Sequence, residues 1–230
     1  MNVFIHIAQI GRWKEILDEN IEVVSQYLPG VKIFAGVLGE DSVPSCLEVC
    51  YQSKNLLEWE YPTLQKLYEH CQNNDGFVLY MHGKGSSEYK KCMENWREYL
   101  HFFIVEHAAD CIQSLENYDI CGCDWTGTHF FGNFWWARND YIRKLKSPYD
   151  LASIIQLKNR PWSDKKVLVV HSEEKGYHYF DETKFYARHY RLFAEMWIGS
   201  KEDVKPYQIH KSNVMHLADE YPPKNYKILL

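Results

Sequence analysis

The sequence predicts an α/β fold: a mostly parallel, doubly wound sheet with helices on both faces. Short apolar runs alternate with segments of helical period over residues 1–145. Strands separated by helices pair in parallel and are covered on both sides. The length of 230 residues suits one domain with a substantial core. Residues 1–230 are therefore expected to form one domain, with 149–190 as an inserted lobe and 200–230 as a wrapped tail.

Each element has its own signal. Val3 to Ala8 is an apolar run of strand length. Trp13, Ile16, Leu17, Ile21, Val24 and Leu28 fall on one helical face, and Pro29-Gly30 stops that helix. Val31 to Leu38 is a second strand, closed by Gly39-Glu40-Asp41. Pro62 suits the first turn of a helix striped by Leu64, Leu67, Tyr68 and Cys71. Asn73-Asn74-Asp75-Gly76 turns the chain into the strand Phe77 to Met81. An apolar stripe from Tyr89 to Leu115 predicts one long helix over 88–116. Tyr118 to Cys123 and His129 to Ala137 read as strands, and Asn139 as the cap of a short helix ended by Ser147-Pro148. Residues 149–190 are basic and aromatic, with one plain strand at Val167 to Val170. Pro206, Pro222 and Pro223 mark the tail.

Composition narrows the function. A net charge of −5 excludes a broad electrostatic grip on nucleic acid. Aromatic residues reach 16%, and their flat amphipathic rings suit sugars or other ring-bearing ligands. No apolar run approaches the roughly 20 residues of a membrane span, which leaves peripheral membrane contact open. Seven cysteines without a basic leader point to free thiols in a reducing cytoplasm. Cys121-Gly122-Cys123 sets two thiols on one strand face; the spacing favours core thiols over a zinc knuckle.

In doubly wound sheets ligands sit beyond the carboxyl ends of the strands. Gln9–Arg12, Gly39–Asp41 and His82–Ser87 lie at such ends. The last follows the stretch Gly-Phe-Val-Leu-Tyr-Met-His-Gly-Lys-Gly-Ser-Ser. It is no triphosphate loop, because the residues before Gly83 are strand-like and Gly85 stands where a metal-binding hydroxyl belongs. If the strand persists, His82 and Lys84 point the same way as a cationic clamp, with Gly83 and Gly85 admitting a ligand to the backbone. The rival is a glycine turn with a solvated lysine. In His129–Arg138, Gly132-Asn133 breaks an aromatic run. Asn133 and Trp135 suit a hydroxylated ligand or the core, and Arg138 a phosphate or solvent. Glu195 stands among apolar residues in Arg-Leu-Phe-Ala-Glu-Met-Trp-Ile-Gly, either paired with Arg191 or serving as a general base. Nucleophile-elbow, dinucleotide and His-Glu-x-x-His motifs are absent from the sequence.

The order LYMHGKG, NWREYLHFF, YDICGCD, HFFGNFWWARNDYIRKL and RLFAEMWIG resembles a GT-A-fold glycosyltransferase-like family of bacterial polysaccharide clusters and large viruses. The match spans roughly residues 3–147 and 191–199; residues 149–190 have no counterpart. The resemblance implies transfer of a sugar from a nucleotide-sugar to a glycan or glycoconjugate acceptor, with inversion expected. It implies that Gln9, Glu40 and Asp41 contact the nucleotide, and His82, Gly83, Lys84, Gly85, Arg138 and a tail histidine, His216 or His210, the diphosphate; the rival for the tail histidines is an ordinary surface position. Asn133, Trp135, Asp124 and Arg191 would contact sugar or acceptor, and Glu195 would be the base. GT-A folds generally end the strand Phe77–Met81 in a metal-binding Asp-x-Asp; here His82-Gly83-Lys84 stands there. No metal cofactor is therefore expected. In another register Asp119 or Asp124 becomes the ligand of a manganese or magnesium ion. The rivals are a noncatalytic nucleotide- or glycan-binding module on the same fold and a nucleotide-dependent methyltransferase, the latter disfavoured by the lack of a glycine-rich turn after the first strand.

Overall fold

The computed structural model describes residues 1–87, 89–150, 157–158, 167–172, 176–181 and 194–227. Its elements are β1 (Asn2–Ala8), α1 (Trp13–Tyr27), β2 (Lys32–Leu38), β3 (Glu48–Ser53), α2 (Tyr61–Asn73) and β4 (Phe77–His82). There follow α3 (Lys91–His101), a π-helical turn (Phe102–Glu106), α4 (Ala108–Ser114), β5 (Ile120–Cys123), β6 (Trp135–Arg138) and α5 (Asn139–Ile142). The last strands are β7 (Leu157–Lys158), β8 (Val167–Ser172), β9 (Gly176–Asp181) and β10 (Pro206–His210). The fold is α/β and Rossmann-like: a seven-stranded mixed sheet, in the order β3-β2-β1-β4-β6-β5-β10. β6 pairs antiparallel with both neighbours, and every other pairing in this sheet is parallel. β7, β8 and β9 form a separate antiparallel sheet.

Helices cover both faces because the strands are apolar on both. Leu79 and Met81 of β4 join the core beneath α1, α3 and α4, whereas Val78 and Tyr80 join the core beneath α2 and α5. At Gly36 of β2 the packing is too close for a side chain: a Cβ there would lie 2.0 Å from Thr63 Oγ1 of α2.

Several boundaries depart from the sequence reading. The helix expected over 88–116 is α3 and α4 joined by the π turn, where His107 N–H reaches back to Phe102 O at 3.1 Å. The wider turn leaves carbonyls for side chains: Trp136 Nε1 donates to Ile104 O at 2.7 Å and Cys111 Sγ to Phe103 O at 3.3 Å. The strand expected from His129 begins only at Trp135, because Gly132 and Asn133 take φ of +100° and +53°. Asn139 does not cap α5; its Nδ2 donates to Asn74 O at 2.8 Å. β3 is an additional edge strand. The tail supplies β10, with Pro206 as its first residue, where a missing N–H is tolerated. The strand expected at Val167 to Val170 falls within β8, while much of 149–190 lies outside the described residues.

Candidate functional site at the carboxyl edge of the sheet

The chain leaves β1 toward β2 on one side, and β4 is laid down on the other. The carboxyl ends of β1 and β4 thus form a topological switch point, where doubly wound sheets bind ligands. The two loops that flank it touch: Arg12 N–H donates to Ser86 O at 3.0 Å. Gly11, at φ +58°, has no room for a side chain, since a Cβ would lie 2.2 Å from Ser86 O. Behind them, the ends of β1 and α1 and Gly83 line a cavity of about 10 Å³.

At the end of β2 the predicted nucleotide-contacting residues do come together. Gln9 Nε2 donates to Asp41 O at 2.8 Å, and Asp41 N–H donates to Gln9 Oε1 at 2.7 Å. Gln9 thereby fixes the Gly39–Asp41 turn. Glu40 and Asp41 face solvent, opposite Lys54 at 2.9 Å and Lys14 at 3.7 Å. Pairs this exposed contribute little to stability and open readily.

The expected clamp of His82 and Lys84 is not one clamp. β4 ends at His82, and Gly83–Ser87 form a turn, so the two-residue alternation stops before Lys84. His82 lies on the α2 side: Nε2 is 2.9 Å from Gly132 O and Nδ1 4.0 Å from Glu60 Oε1. Lys84 turns to the opposite face, where its ammonium sits 3.9 Å from the centre of the Trp96 ring. Arg97 Nη1 donates to Lys84 O at 3.1 Å. A Cβ at Gly83 would make an ordinary contact with Ser86 Oγ at 3.7 Å, whereas one at Gly85 would press on Met93 of α3 at 3.2 Å.

Trp96 also receives the tail. The imidazole of His216 stacks on it at 5.3 Å with planes 5° apart, fully buried. His216 Nε2 lies 3.4 Å from Asp124 Oδ2, at the end of β5. Asp124 Oδ1 accepts from Ser212 N–H at 2.7 Å. Burial acts to raise the Asp124 carboxyl, but His216, the Ser212 N–H and Tyr99 outweigh it and hold the group below its ordinary range. Lys84, His216 and Asp124, far apart in sequence, thus converge around Trp96. The Trp96 indole N–H and His216 Nδ1 are buried with no hydrogen-bond partner among the described residues. Leaving such groups unpaired costs about 1–3 kcal/mol each.

Other expected contacts are placed differently. Asn133 and Trp135 are fully buried and meet no ligand surface. Asn133 Nδ2 donates to Glu60 Oε2 at 2.6 Å, and Trp135 Nε1 donates to Asn133 Oδ1 at 2.8 Å. Tyr80 OH gives Glu60 Oε2 a further hydrogen bond at 2.6 Å. Arg138 lies away from the carboxyl ends of β1 and β4. β6 runs antiparallel, so Arg138 pairs with Phe77, five residues and about 16 Å along β4 from His82. It binds Asp119 at 2.8 Å and Asp140 at 3.0 Å. Glu195 is buried between the core residues Ala194 and Met196, on the α2 side of the sheet. Arg191 lies outside the described residues. Cys121 and Cys123 are buried in the core beneath α3 and α4. Among the described residues no group of three or more His, Cys, Asp or Glu is arranged to hold a metal ion.

The sequence reading missed His6, Glu60 and Thr63. His6 lies beside His82 in the β1–β4 register, and its Nδ1 is 2.8 Å from Thr63 Oγ1. A histidine inside an otherwise apolar strand was the available signal. Glu60, just before α2, is buried beneath Tyr80 and Asn133.

A family model described as a domain of unknown function, DUF8361, matches residues 2–228. The chain belongs to the DUF8361 family. Neither the curated proteins nor the solved structures gave a match. The DUF8361 domain of this chain therefore contains both the switch point and the cluster around Trp96.

Proposed function

We propose that this DUF8361 protein is a glycosyltransferase that moves a sugar from a nucleotide-sugar to a glycan or glycoconjugate acceptor. The observation that carries the reading is the convergence of Lys84 and His216 on Trp96, where the Trp96 indole N–H and the His216 Nδ1 nitrogen are buried without a hydrogen-bond partner among the described residues. An ammonium, an imidazole and an indole N–H are the chemistry that a diphosphate leaving group requires. The Gly39–Asp41 turn held by Gln9 supports a ribose or base contact across the switch point. Glu195, buried on the α2 side of the sheet, is the proposed base for direct, inverting displacement, which requires the acceptor hydroxyl to enter from that face, opposite the cluster around Trp96. The donor is held by protein cations without a metal ion. The reading sets the protein in the cytoplasm with all seven cysteines as thiols. Among the described residues no helix is long and apolar enough to cross a membrane.

The test is thermal denaturation of the whole protein with nucleoside diphosphates and nucleotide-sugars in EDTA. A ligand that binds the folded state raises the melting temperature. At least one is expected to do so, with the shift lost in Lys84→Met, and Glu195→Gln is expected to keep the shift while losing transfer. No shift with any nucleotide overturns the donor site; transfer abolished by EDTA and restored by manganese overturns its independence of metal. The second reading, a noncatalytic nucleotide- or glycan-binding module, is favoured by the small cavity of about 10 Å³ at the switch point. Normal nucleotide binding with no transfer to any acceptor would establish it.

A further inference from the structure

A second concave surface lies at the other end of the sheet. It is a groove of about 540 Å³ between α4 and the edge strand β10. Ligand pockets commonly measure about 300–1,000 Å³. Its floor is Phe103 and Ile209, and one wall is the pair Tyr118 and Tyr207, with ring centres 5.0 Å apart and planes tilted by 46°. Tyr118 is 38% exposed, so its ring is offered to a ligand. The opposite rim carries the exposed amides of Gln113 and Asn117.

We infer that this groove is a carbohydrate-binding site, distinct from the crevice at the carboxyl edge. Sugars present apolar C–H faces, which pack on tyrosine rings, and hydroxyls, which exchange hydrogen bonds with side-chain amides. Charge excludes the other obvious ligand class. Among the described residues no lysine or arginine lines the groove, and its histidine, His107, is held by Asp110 at 3.1 Å. A phosphate or nucleic acid therefore finds a carboxylate and no fixed cation. An added peptide strand is disfavoured by β10 itself. Its register shifts between Gln208 and His210, which bends the edge that a guest strand would extend, and Pro206 brings no N–H. The groove runs from Tyr118, before β5, along β10 to Ile209, and β5 and β6 separate β10 from the switch point at β1 and β4, so a bound glycan does not compete with a nucleotide there.

The experiment titrates the whole protein with millimolar cellotriose, maltotriose and triacetylchitotriose, followed by calorimetry and by saturation-transfer NMR. At least one is expected to bind. Asn117→Ala and Tyr118→Ala alter exposed side chains, and each is expected to weaken that binding about tenfold. The melting shift given by nucleotides should stay unchanged in both. Absence of binding by all three sugars, or affinity kept within about twofold in both variants, overturns the assignment. A heptapeptide of alternating Val and Thr that binds in their place makes the groove a strand acceptor and also overturns it. Loss of the nucleotide shift with saccharide binding intact would count against the donor site alone.

Discussion

Asn133 joins two groups that would otherwise be buried with unmet hydrogen-bonding needs. It donates to Glu60 and accepts from the Trp135 indole. Asn133→Ala leaves the indole N–H bare and takes a donor from the carboxylate, so a loss of about 2–3 kcal/mol is expected. Tyr80→Phe removes only one donor from Glu60 and should cost about 1 kcal/mol. Urea midpoints at constant slope measure both, and equal losses would contradict the bridging role. His101 supplies a pH dependence. Burial, aided by Arg97, pushes its imidazole down to about 3, so it stays neutral in the fold with Nε2 2.7 Å from Asn20 Oδ1. The unfolded chain takes up that proton near pH 6.5 and the native chain does not. Stability from this group is therefore complete above about pH 6.5 and falls as pH drops toward about 3, by up to about 1.4 kcal/mol per pH unit. His101→Gln is expected to flatten the stability profile between pH 6.5 and 5; an unchanged slope would assign the acid sensitivity elsewhere. At this scale the sequence was half legible. It singled out Asn133 as a hydrogen-bonding residue in an aromatic run, but the partner Glu60 lies 73 positions away. No local pattern encodes that distance.

The helices and central strands were legible because their apolar spacing is forced by a sheet covered on both faces. The exceptions have physical causes. The apolar stripe from Tyr89 to Leu115 runs on through the π turn, so a widened turn leaves no gap in it. β3 lacks an apolar signature since it is an edge strand, with Glu48 and Val49 exposed. His82 and Lys84 share a spacing, but only the structure shows that β4 stops between them. The π turn leads to a further expectation. It leaves Ile104 O to the Trp136 indole, and Trp136→Phe takes away the donor while keeping most of the apolar bulk. A loss of about 1–3 kcal/mol should appear in chemical denaturation. A neutral result would mean that the turn is held by packing alone.

Across the whole molecule, the loops after β1 and β4 are tied by backbone where the order of strand addition reverses. Gly11→Ala forces them apart, and with a positive φ an alanine is also strained. Thermal denaturation should show a loss of about 1–3 kcal/mol, together with a weaker nucleotide shift. A variant as stable as the parent would show that the loops separate at little cost. The convergence at Trp96 was not legible in sequence because it depends on the tail folding back: His216 reaches Asp124 only after β10 has joined β5. That order gives the sheet a timetable. β3, β2, β1 and β4 are neighbours made from the first 82 residues, so they can pair while synthesis continues. β5 has no parallel partner until β10, made more than 80 residues later, leaves the ribosome. The β1–β4 side of the crevice is thus assembled early, and the histidine proposed to complete it arrives later. A nascent chain cut short before β10 carries an open strand edge and lacks the His216 side of the cluster around Trp96.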